Sequence, residues 1–365
     1  MNYGGKRVLI LGGTGFIGGR LAERLLLEQG AQVRVAVRDW RKATWISRTK
    51  AELVSGDVMS PESMVAAARD CDVVFHCASG PAESGGYMRT NSGGTGNVIA
   101  ACIQAKVGRM VYVSTVAVHG TRPGMKLSSA SPLHVSGRDY SDSKVAAEQL
   151  VSAAQVAGHL NTVIVRPTYV WGPRSSIFTI RQVREMMSNR FRYVDDGEAV
   201  ANAVYVDNLV DALLSAGVKP GVEGRRFLIT DGANYRWRDL FGKYATFLGL
   251  DSFPSVSSRS SLSHLGSRAV DFTDAQLAAL LGPRTLPVRA IRRLVKISND
   301  RLRSKFVDSW ELNKLSFNEV ADIDDARQAL DYSPRFDLDT GMAQTLRWLD
   351  DQMGFELSQW RSSRS

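Results

Sequence analysis

The sequence predicts an α/β protein built on a doubly wound parallel sheet, with a smaller and mostly helical domain beyond it. Short apolar runs of four or five residues alternate with amphipathic helical patterns through the first half of the chain. Runs of this kind are typical of parallel strands that are covered on both faces. A glycine-rich segment, Gly12–Gly18, joins the first run to the first helical pattern. Repeated alternation of strand and helix implies right-handed crossovers and therefore one parallel sheet.

The first half of the chain predicts five strands and four helices in strict alternation. The strands are predicted at Val8–Leu11, Val33–Val37, Val73–His76, Met110–Ser114 and Thr162–Val165. The helices are predicted at Phe16–Glu28, Pro61–Arg69, Asn91–Ala105 and Tyr140–Ala157. These elements place residues 1–173 in the sheet domain.

The alternation is less regular beyond residue 167. Helices are predicted at Ile180–Met187, Leu209–Ala216, Phe272–Leu281, Val288–Phe306 and Leu338–Met353. Extended segments are predicted at Val204–Val206 and Phe227–Thr230, and a serine-rich loop at Ser255–Ser267. We therefore expect residues 203–230 to return to the sheet domain, and residues 174–202 and 231–365 to form the second domain.

The composition is that of a soluble globular protein. Of 365 residues, 44% are hydrophobic and 23% are charged, which excludes the disordered and membrane classes. No apolar run approaches the roughly 18–20 residues that a membrane-spanning helix needs. The three cysteines, Cys71, Cys77 and Cys102, are a sparse set that predicts reduced thiols and a cytoplasmic location. None is spaced from a histidine or a second cysteine as zinc ligands are, so no metal site is predicted.

The net charge of +9 is densest near residue 300. Between Arg284 and Lys305 there are eight basic residues and one acid, Asp300. Apolar residues from Val288 to Phe306 recur near helical spacing within this segment. A basic amphipathic helix can lie on an anionic membrane surface, but we favour a helix of the second domain with one solvated face. Nucleic-acid binding is not predicted, since no recognition motif accompanies the charge.

The segment Gly12–Gly18 predicts a dinucleotide site. Its early glycine permits a tight turn, its middle glycine lets a pyrophosphate approach the backbone, and its last lets the helix pack close to the strand. Free N–H groups at the start of the helix then face the phosphates. The segment lies inside a strand–helix–strand unit of Rossmann type, so we expect a nicotinamide dinucleotide to bind there. The residues expected to contact it are Gly12, Thr14, Gly15, Phe16, Ile17 and Gly18.

The end of the second predicted strand bears on the choice between NAD and NADP. Arg38 lies twenty residues beyond Gly18, where an arginine suits the 2′-phosphate of NADP and an acid suits the ribose of NAD. Arg41 and Lys42 add positive charge nearby. These residues favour NADP, while the neighbouring Asp39 keeps NAD as the alternative.

Tyr140 and Lys144 form a candidate proton-transfer pair. They are four residues apart on a predicted helix and so share one face. A phenol normally loses its proton near pH 10, and a nearby ammonium brings that pKa towards neutrality. The preceding strand ends in Ser114 and Thr115, whose hydroxyls stand where ligands bind in open α/β sheets.

Together these residues resemble the extended branch of the short-chain dehydrogenase/reductase superfamily, which includes NAD-dependent epimerases, dehydratases and hydroxysteroid dehydrogenases. The resemblance covers residues 7–230, with a weaker similarity near the C-terminus. It implies that Asp57, followed by Val58, contacts the adenine ring. It places Ala78 on the adenosine side and Pro167 beside the nicotinamide.

The same resemblance implies roles for the reacting groups. Tyr140 would be the general acid/base, and Lys144 would lower its pKa and hold the nicotinamide ribose. Thr115, five residues before Gly120, falls where the family places its catalytic serine or threonine, with Ser114 as its neighbour. Family members are often dimers through two helices of the first domain, so a homodimer is expected.

The implied function is that of an NAD(P)-dependent oxidoreductase, which interconverts a hydroxyl and a carbonyl on a small molecule by hydride transfer. Arg34 and Arg38 resemble residues of NADP-using reductases. The alternative is a nucleotide-sugar epimerase or dehydratase with tightly bound NAD. Those enzymes usually carry an arginine where this chain has Ala201, followed by Asn202. A second alternative, a non-catalytic nucleotide-sensing member, is expected to lack Tyr140 or Lys144.

Three other arginines keep the sugar-nucleotide alternative open. Arg174, Arg181 and Arg184 could bind a diphosphate from other positions in the second domain.

Overall fold

The computed structural model describes residues 2–80, 86–120, 125–259 and 309–363. Its centre is a seven-stranded parallel sheet in the order β10-β6-β5-β4-β1-β2-β3. The sheet strands are β1 (Arg7–Leu11), β2 (Gln32–Val37), β3 (Glu52–Ser55), β4 (Val73–His76), β5 (Arg109–Val113), β6 (Thr162–Pro167) and β10 (Arg226–Ile229). The predicted doubly wound parallel sheet is therefore confirmed.

Helices cover both faces of the sheet and build the region beyond its carboxyl edge. Those of the first 218 residues are α1 (Phe16–Leu27), α2 (Pro61–Ala68), α3 (Gly94–Gln104), α4 (Asp139–Val156), α5 (Gln182–Met187) and α6 (Val206–Val218). Later helices are α7 (Trp237–Leu248), α8 (Ser309–Leu315), α9 (Asp324–Leu330) and α10 (Leu338–Ser362). Two π-helical turns, Met88–Gly93 and Ser176–Arg181, precede α3 and α5.

Two small parallel sheets complete the second region. Strand β7 (Tyr169–Trp171) pairs with β9 (Ala203–Tyr205). Strand β8 (Tyr193–Val194) pairs with β11 (Ser255–Val256), where the sequence predicted only a loop. The helices predicted at Phe272–Leu281 and Val288–Phe306, and the basic segment 284–305, lie outside the described residues.

The prediction missed two elements and ended a third too early. Strand β3 lies at the sheet edge and is only half-buried, so its apolar signal is weak. Helix α7 buries Trp237, Phe241 and Tyr244 along one stripe, at a helical spacing that does predict a helix. Helix α10 extends nine residues past its predicted end at Met353.

Three apolar clusters hold these elements together. One lies under each face of the central sheet, and Ile10 and Leu9 of β1 point to opposite clusters. The third cluster joins β7, α7 and α10 beyond the carboxyl edge of the sheet. Gly341 of α10 approaches Trp171 so closely that a Cβ would lie 2.8 Å from its ring. The C-terminal helix thus supports the segment that follows β6.

How the chain divides into domains stays a prediction.

Asp231 connects the small sheet β7–β9 to the helices around it. Its buried carboxylate accepts hydrogen bonds from the indole of Trp171 (3.3 Å), the amide of Asn208 (2.7 Å) and the hydroxyl of Tyr235 (2.8 Å). The backbone N–H of Tyr205 also donates to it, at 2.9 Å. Burial raises the pKa of Asp231 above its usual value, although these donors partly oppose the shift. The hydrogen bonds fix the wall of the cleft described below.

No helix of the described residues is long and apolar enough to cross a membrane.

Candidate active site at the carboxyl ends of the strands

The order of strands in the sheet reverses between β1 and β4, and the glycine segment lies at this switch point. Gly12 has a φ of +83°, and a Cβ there would lie 2.8 Å from the backbone nitrogen of Ala78. Gly18 is as constrained, because a Cβ would lie 2.5 Å from the carbonyl oxygen of Gly12. Only glycine fits both places, and helix α1 begins immediately, at Phe16. This close-packed turn against a helix N-terminus suits a dinucleotide pyrophosphate.

The end of β2 carries an exposed cluster of charges. Arg38 is exposed and makes no ion pair with any described residue. Asp39 is engaged instead by Arg41, whose Nε lies 2.9 Å from one carboxylate oxygen. That ion pair lowers the pKa of Asp39. The Asp39 carboxylate, on which the NAD alternative depends, is therefore already paired with Arg41.

Arg34, which resembles a residue of NADP-using reductases, does not belong to this cluster. It is buried within β2, pairs with Glu52 of the edge strand at 2.9 Å, and donates to the carbonyl of Ala67 at 2.9 Å. It stabilises the sheet edge instead.

The predicted adenosine-side residues lie at the ends of β3 and β4. Asp57 accepts a hydrogen bond from the backbone of Met59 at 3.0 Å, which shapes the turn after β3. The side chain of Val58 packs on Gly94 at the start of α3. Ala78 adjoins Gly12, as described above. The structure thus brings the glycine segment and these three residues to one edge of the sheet.

A cleft of about 790 Å³ opens between the strand ends and the second region. The predicted residues Phe16, Ile17, Ser114, Thr115, Tyr140 and Pro167 all line it. The rest of the lining is mixed, and its polar members are Ser79, His134, Ser136, Arg138, Ser141, Thr168, Ser175, Ser176 and Asn313. Tyr169, Ile177 and Phe178, which we call the outer wall, give the cleft an apolar face. Small-molecule sites commonly combine such a face with polar groups.

Tyr140 lies near the N-terminus of α4, with its ring in a T-shaped contact with Tyr87 at 5.3 Å. Burial raises the pKa of its phenol, and a hydrogen bond with Thr115 lowers it. Thr115 also accepts a hydrogen bond from the backbone of Ala117 at 3.2 Å, which starts the turn after β5. Two of the predicted catalytic residues, Tyr140 and Thr115, therefore lie beside each other.

Lys144 is fully buried, one turn after Tyr140 on α4. Its Nζ donates a hydrogen bond to the carbonyl oxygen of Val113 at 2.9 Å and lies over the ring of Tyr112, 4.8 Å from the centroid. Burial lowers the pKa of this ammonium to about 8, and the nearby Cys77 and Glu148 oppose that shift. This hydrogen bond ties the ammonium to strand β5.

Ser114 ends the same strand with a hydroxyl that is not engaged. Its side chain is 4% exposed and lines the cleft, and its Oγ has no hydrogen-bond partner within the described part of the chain. A buried hydroxyl without a partner is costly, and a ligand oxygen in the cleft would supply one.

A buried ion pair lies behind the cleft. Arg166 of β6 holds Glu148 of α4 through three hydrogen bonds of 2.6–3.2 Å, and both side chains are almost completely inaccessible to solvent. The same guanidinium lies 3.3 Å from the ring of His119, at the end of the turn that Thr115 begins. One cluster therefore joins the three segments that carry Tyr140, Thr115 and Pro167. Glu148 escaped the sequence analysis, although its position four residues after Lys144 places it on the same helix face.

The position expected to bind a diphosphate in the sugar-nucleotide enzymes is closed. Ala201 is fully buried. Its neighbour Asn202 donates to the carbonyl of Glu319 and accepts from the N–H of Ala321, both at 2.9 Å. The segment 318–321 therefore covers this place.

The three arginines that could replace it are all engaged by acids. Arg174 pairs with Glu23 at 3.2 Å and lies over the ring of Trp45. Arg181 contacts Glu185 at 2.7 Å, and Arg184 contacts Glu356 at 3.1 Å. These pairs leave less charge available to a diphosphate.

No group of three or more metal-ligating side chains occurs together within residues 2–80, 86–120, 125–259 and 309–363.

Comparison with known proteins identifies close sequence relatives. A sequence model described as the 3-beta hydroxysteroid dehydrogenase/isomerase family matches residues 9–251. A 2-alkyl-3-oxoalkanoate reductase from Stenotrophomonas maltophilia is 32% identical over 256 residues, which are 67% of this chain and 76% of the relative. A 4-hydroxy-2-methyl-3-oxo-4-farnesyl-3,4-dihydroquinoline-1-oxide ketoreductase from Stigmatella aurantiaca is 33% identical over 232 residues, covering 62% and 69%.

Solved structures share the fold at low identity. A dTDP-glucose 4,6-dehydratase from Streptomyces venezuelae superimposes with a TM-score of 0.70 at 21% identity, covering 96% of this chain and 98% of its own. A UDP-glucuronic acid 4-epimerase from Bacillus cereus gives 0.69 at 18% identity, covering 94% and 99%. Both extend the similarity in fold to nearly the whole chain.

Proposed function

Because this chain belongs to the 3-beta hydroxysteroid dehydrogenase/isomerase family, and so to the extended short-chain dehydrogenases/reductases, we propose that it reduces a ketone of an apolar small molecule with a nicotinamide cofactor. One observation carries the proposal. Tyr140, Thr115 and the unengaged hydroxyl of Ser114 meet in one cleft beside the glycine segment, and Tyr169, Ile177 and Phe178 give that cleft an apolar face. Such a cleft offers a carbonyl oxygen an acid and two hydroxyl donors.

In the proposed reaction Tyr140 donates a proton to the ketone oxygen, and Thr115 and Ser114 hydrogen-bond that oxygen. The glycine segment holds the pyrophosphate, and Pro167 borders the nicotinamide end. When bound, the cofactor supplies the hydride that reduces the carbonyl carbon. Lys144 stays protonated and favours the phenolate that is left after proton transfer. The products are the alcohol and the oxidised cofactor.

The substrate class follows from the cleft and the relatives together. The outer wall of the cleft presents Tyr169, Ile177 and Phe178 to a substrate. The two sequence relatives above are named for 3-oxo compounds that carry alkyl or farnesyl groups. We propose a ketone with an attached hydrocarbon chain, in which the chain contacts this wall. The closed position at Ala201 supports this proposal over a nucleotide sugar.

The test is an assay of the purified protein with added cofactor. We expect NADPH to be oxidised in the presence of a 2-alkyl-3-oxo acid or a comparable alkyl ketone. A protein that retains NAD through purification and converts a nucleotide sugar without added cofactor would instead be an epimerase or dehydratase. Absorbance and mass spectra of the purified protein distinguish the two before any substrate is known.

We propose NADP as the preferred cofactor, because Arg38 is exposed and Asp39 is neutralised by Arg41. Arg38→Ala is expected to weaken NADPH binding roughly tenfold, the loss of about one charge-assisted hydrogen bond, and to leave NADH binding nearly unchanged. Fluorescence titration of both cofactors measures it. Arg48→Ala, which removes the same charge from a neighbouring turn, is the control. Equal losses for NADH and NADPH would contradict the assignment.

We also propose a homodimer that pairs helices α3 and α4 of two copies. Ile103 and Leu150 are exposed on these adjacent helices, at 38% and 40% of their surface. Asp substitution at both positions is expected to convert the dimer to a monomer in light scattering, because each charge would be buried unpaired. Leu27→Asp, at an exposed position on α1, should leave the dimer intact. A wild-type protein that is monomeric at assay concentrations refutes the proposal.

A further inference from the structure

The ammonium of Lys144 is positioned by strand β5 as well as by its own helix. It has three N–H groups. One donates to the carbonyl of Val113 at 2.9 Å, and the ring of Tyr112 lies 4.8 Å from the nitrogen. A carbonyl and an aromatic face on adjacent residues of one strand thus occupy two sides of the cation, and one N–H is left for a ligand.

Tyr112 is itself held rigidly. It is completely buried among the apolar residues between the sheet and α4, which include Ala147 and Val151. His76 lies opposite it in the sheet register, and the two rings make a T-shaped contact at 5.4 Å. The Nε2 of His76 is fixed in turn by the hydroxyl of Thr95 at 3.0 Å. The ring face that meets Lys144 therefore has little freedom to move.

Two of the other groups around Lys144 carry no charge, and the third is shared with an arginine. His76 is neutral, since burial and the ammonium lower its pKa to about 3. Cys77 stays a thiol, because burial raises its pKa to about 12. Glu148 faces the ammonium but is held by three hydrogen bonds from Arg166. The π face of Tyr112 therefore adds to the attraction of the Val113 carbonyl and of Glu148 for a cation that burial destabilises.

We propose that Tyr112 is a positioning residue, which holds the ammonium of Lys144 in place for the nicotinamide ribose through a cation–π contact. This role rests on the proposed function in one respect, which is that Lys144 binds a nicotinamide cofactor. The ring and the carbonyl fix the nitrogen before the cofactor binds, so that the side chain loses less conformational freedom on binding. Loss of the ring would free the ammonium and disfavour its charged form.

The test compares Tyr112→Phe, which keeps the aromatic face, with Tyr112→Leu, which removes it. Both are made in a Tyr140→Phe background, so that the catalytic phenol cannot titrate. NADPH binding is measured by fluorescence across alkaline pH. Tyr112→Leu is expected to weaken binding about tenfold and to move the alkaline loss of affinity about one pH unit lower. Tyr112→Phe should stay within about twofold of the parent.

The direction of the pH effect follows from the charge. Binding requires the protonated amine, so affinity is lost as pH rises through the Lys144 pKa, which is about 8. A lower pKa brings that loss to a lower pH. If Tyr112→Leu folds poorly in thermal unfolding, fluorinated phenylalanines at position 112 replace it, because they keep the ring size and weaken the π face stepwise. The alkaline loss of affinity should then move down with each added fluorine.

Two results would overturn the inference. One is equal impairment by Tyr112→Phe and Tyr112→Leu, which would assign the effect to packing or to the hydroxyl. The other is fluorinated rings that bind like phenylalanine. A parent protein that binds neither NADPH nor NADH would instead refute the proposed function, so the two failures are distinguishable.

Discussion

Replacing Tyr140 with phenylalanine is expected to lower kcat by about a hundredfold to ten-thousandfold, while NADPH binding changes little. The substitution removes only the hydroxyl that would donate the proton, and general acid catalysis contributes about 10²–10⁴ in rate. The ring and its T-shaped contact with Tyr87 remain. The measurement is steady-state turnover with an alkyl ketone, alongside fluorescence titration of the cofactor.

Gln149→Ala provides a control on the same helix. Its side chain is exposed on α4 and does not line the cleft, so the substitution changes the helix without removing the proposed acid or any lining residue. It should retain most of the activity. Near-normal turnover by Tyr140→Phe with intact cofactor binding would show that another group supplies the proton, and the proposed chemistry would be wrong.

The second large effect is expected from the ion pair behind the cleft. Arg166→Met should destabilise the fold by about 3–5 kcal/mol, because it leaves the carboxylate of Glu148 buried and unpaired. It should also lower activity, because the arginine joins the segments carrying Tyr140 and Thr115. Urea unfolding measures the free energy, and the midpoint should fall without a change of slope.

A double variant separates the cost of the unpaired charge from the loss of packing. Arg166→Met with Glu148→Met removes both charges and keeps two long side chains, so it should recover much of the stability. Lys219→Met, which removes a half-exposed cation paired with Asp331, is the control and should cost less than about 1 kcal/mol. A single Arg166→Met variant as stable as the parent would contradict the argument.

The sequence predicted the parts of the site that depend on local pattern. The glycine segment and the four-residue spacing of Tyr140 and Lys144 lie within single turns or helices, so their geometry follows from the chain itself. The hydroxyls of Ser114 and Thr115 could be placed because parallel strands end at one edge of a sheet. The structure brings Phe16, Ile17, Ser114, Thr115 and Tyr140 together around one cleft, whereas Lys144 is buried one turn further along α4 and does not line it.

Contacts between distant segments could not be predicted in this way. Arg34 looked like a cofactor residue by its position in the sequence, yet Glu52 of the neighbouring strand holds it at the sheet edge. Nothing local to Arg166 indicates that Glu148, in another element, will pair with it. The two are brought together only when α4 packs on β6.

The burial of Ala201 also constrains how this chain could acquire a diphosphate site. A mutation to arginine at this position alone would not create a diphosphate site, because the segment 318–321 fills the space. That segment would have to move away first, and Asn202 holds it through two hydrogen bonds. In evolutionary terms the single-step route is closed. A diphosphate site at this position would therefore depend on the order in which substitutions occur.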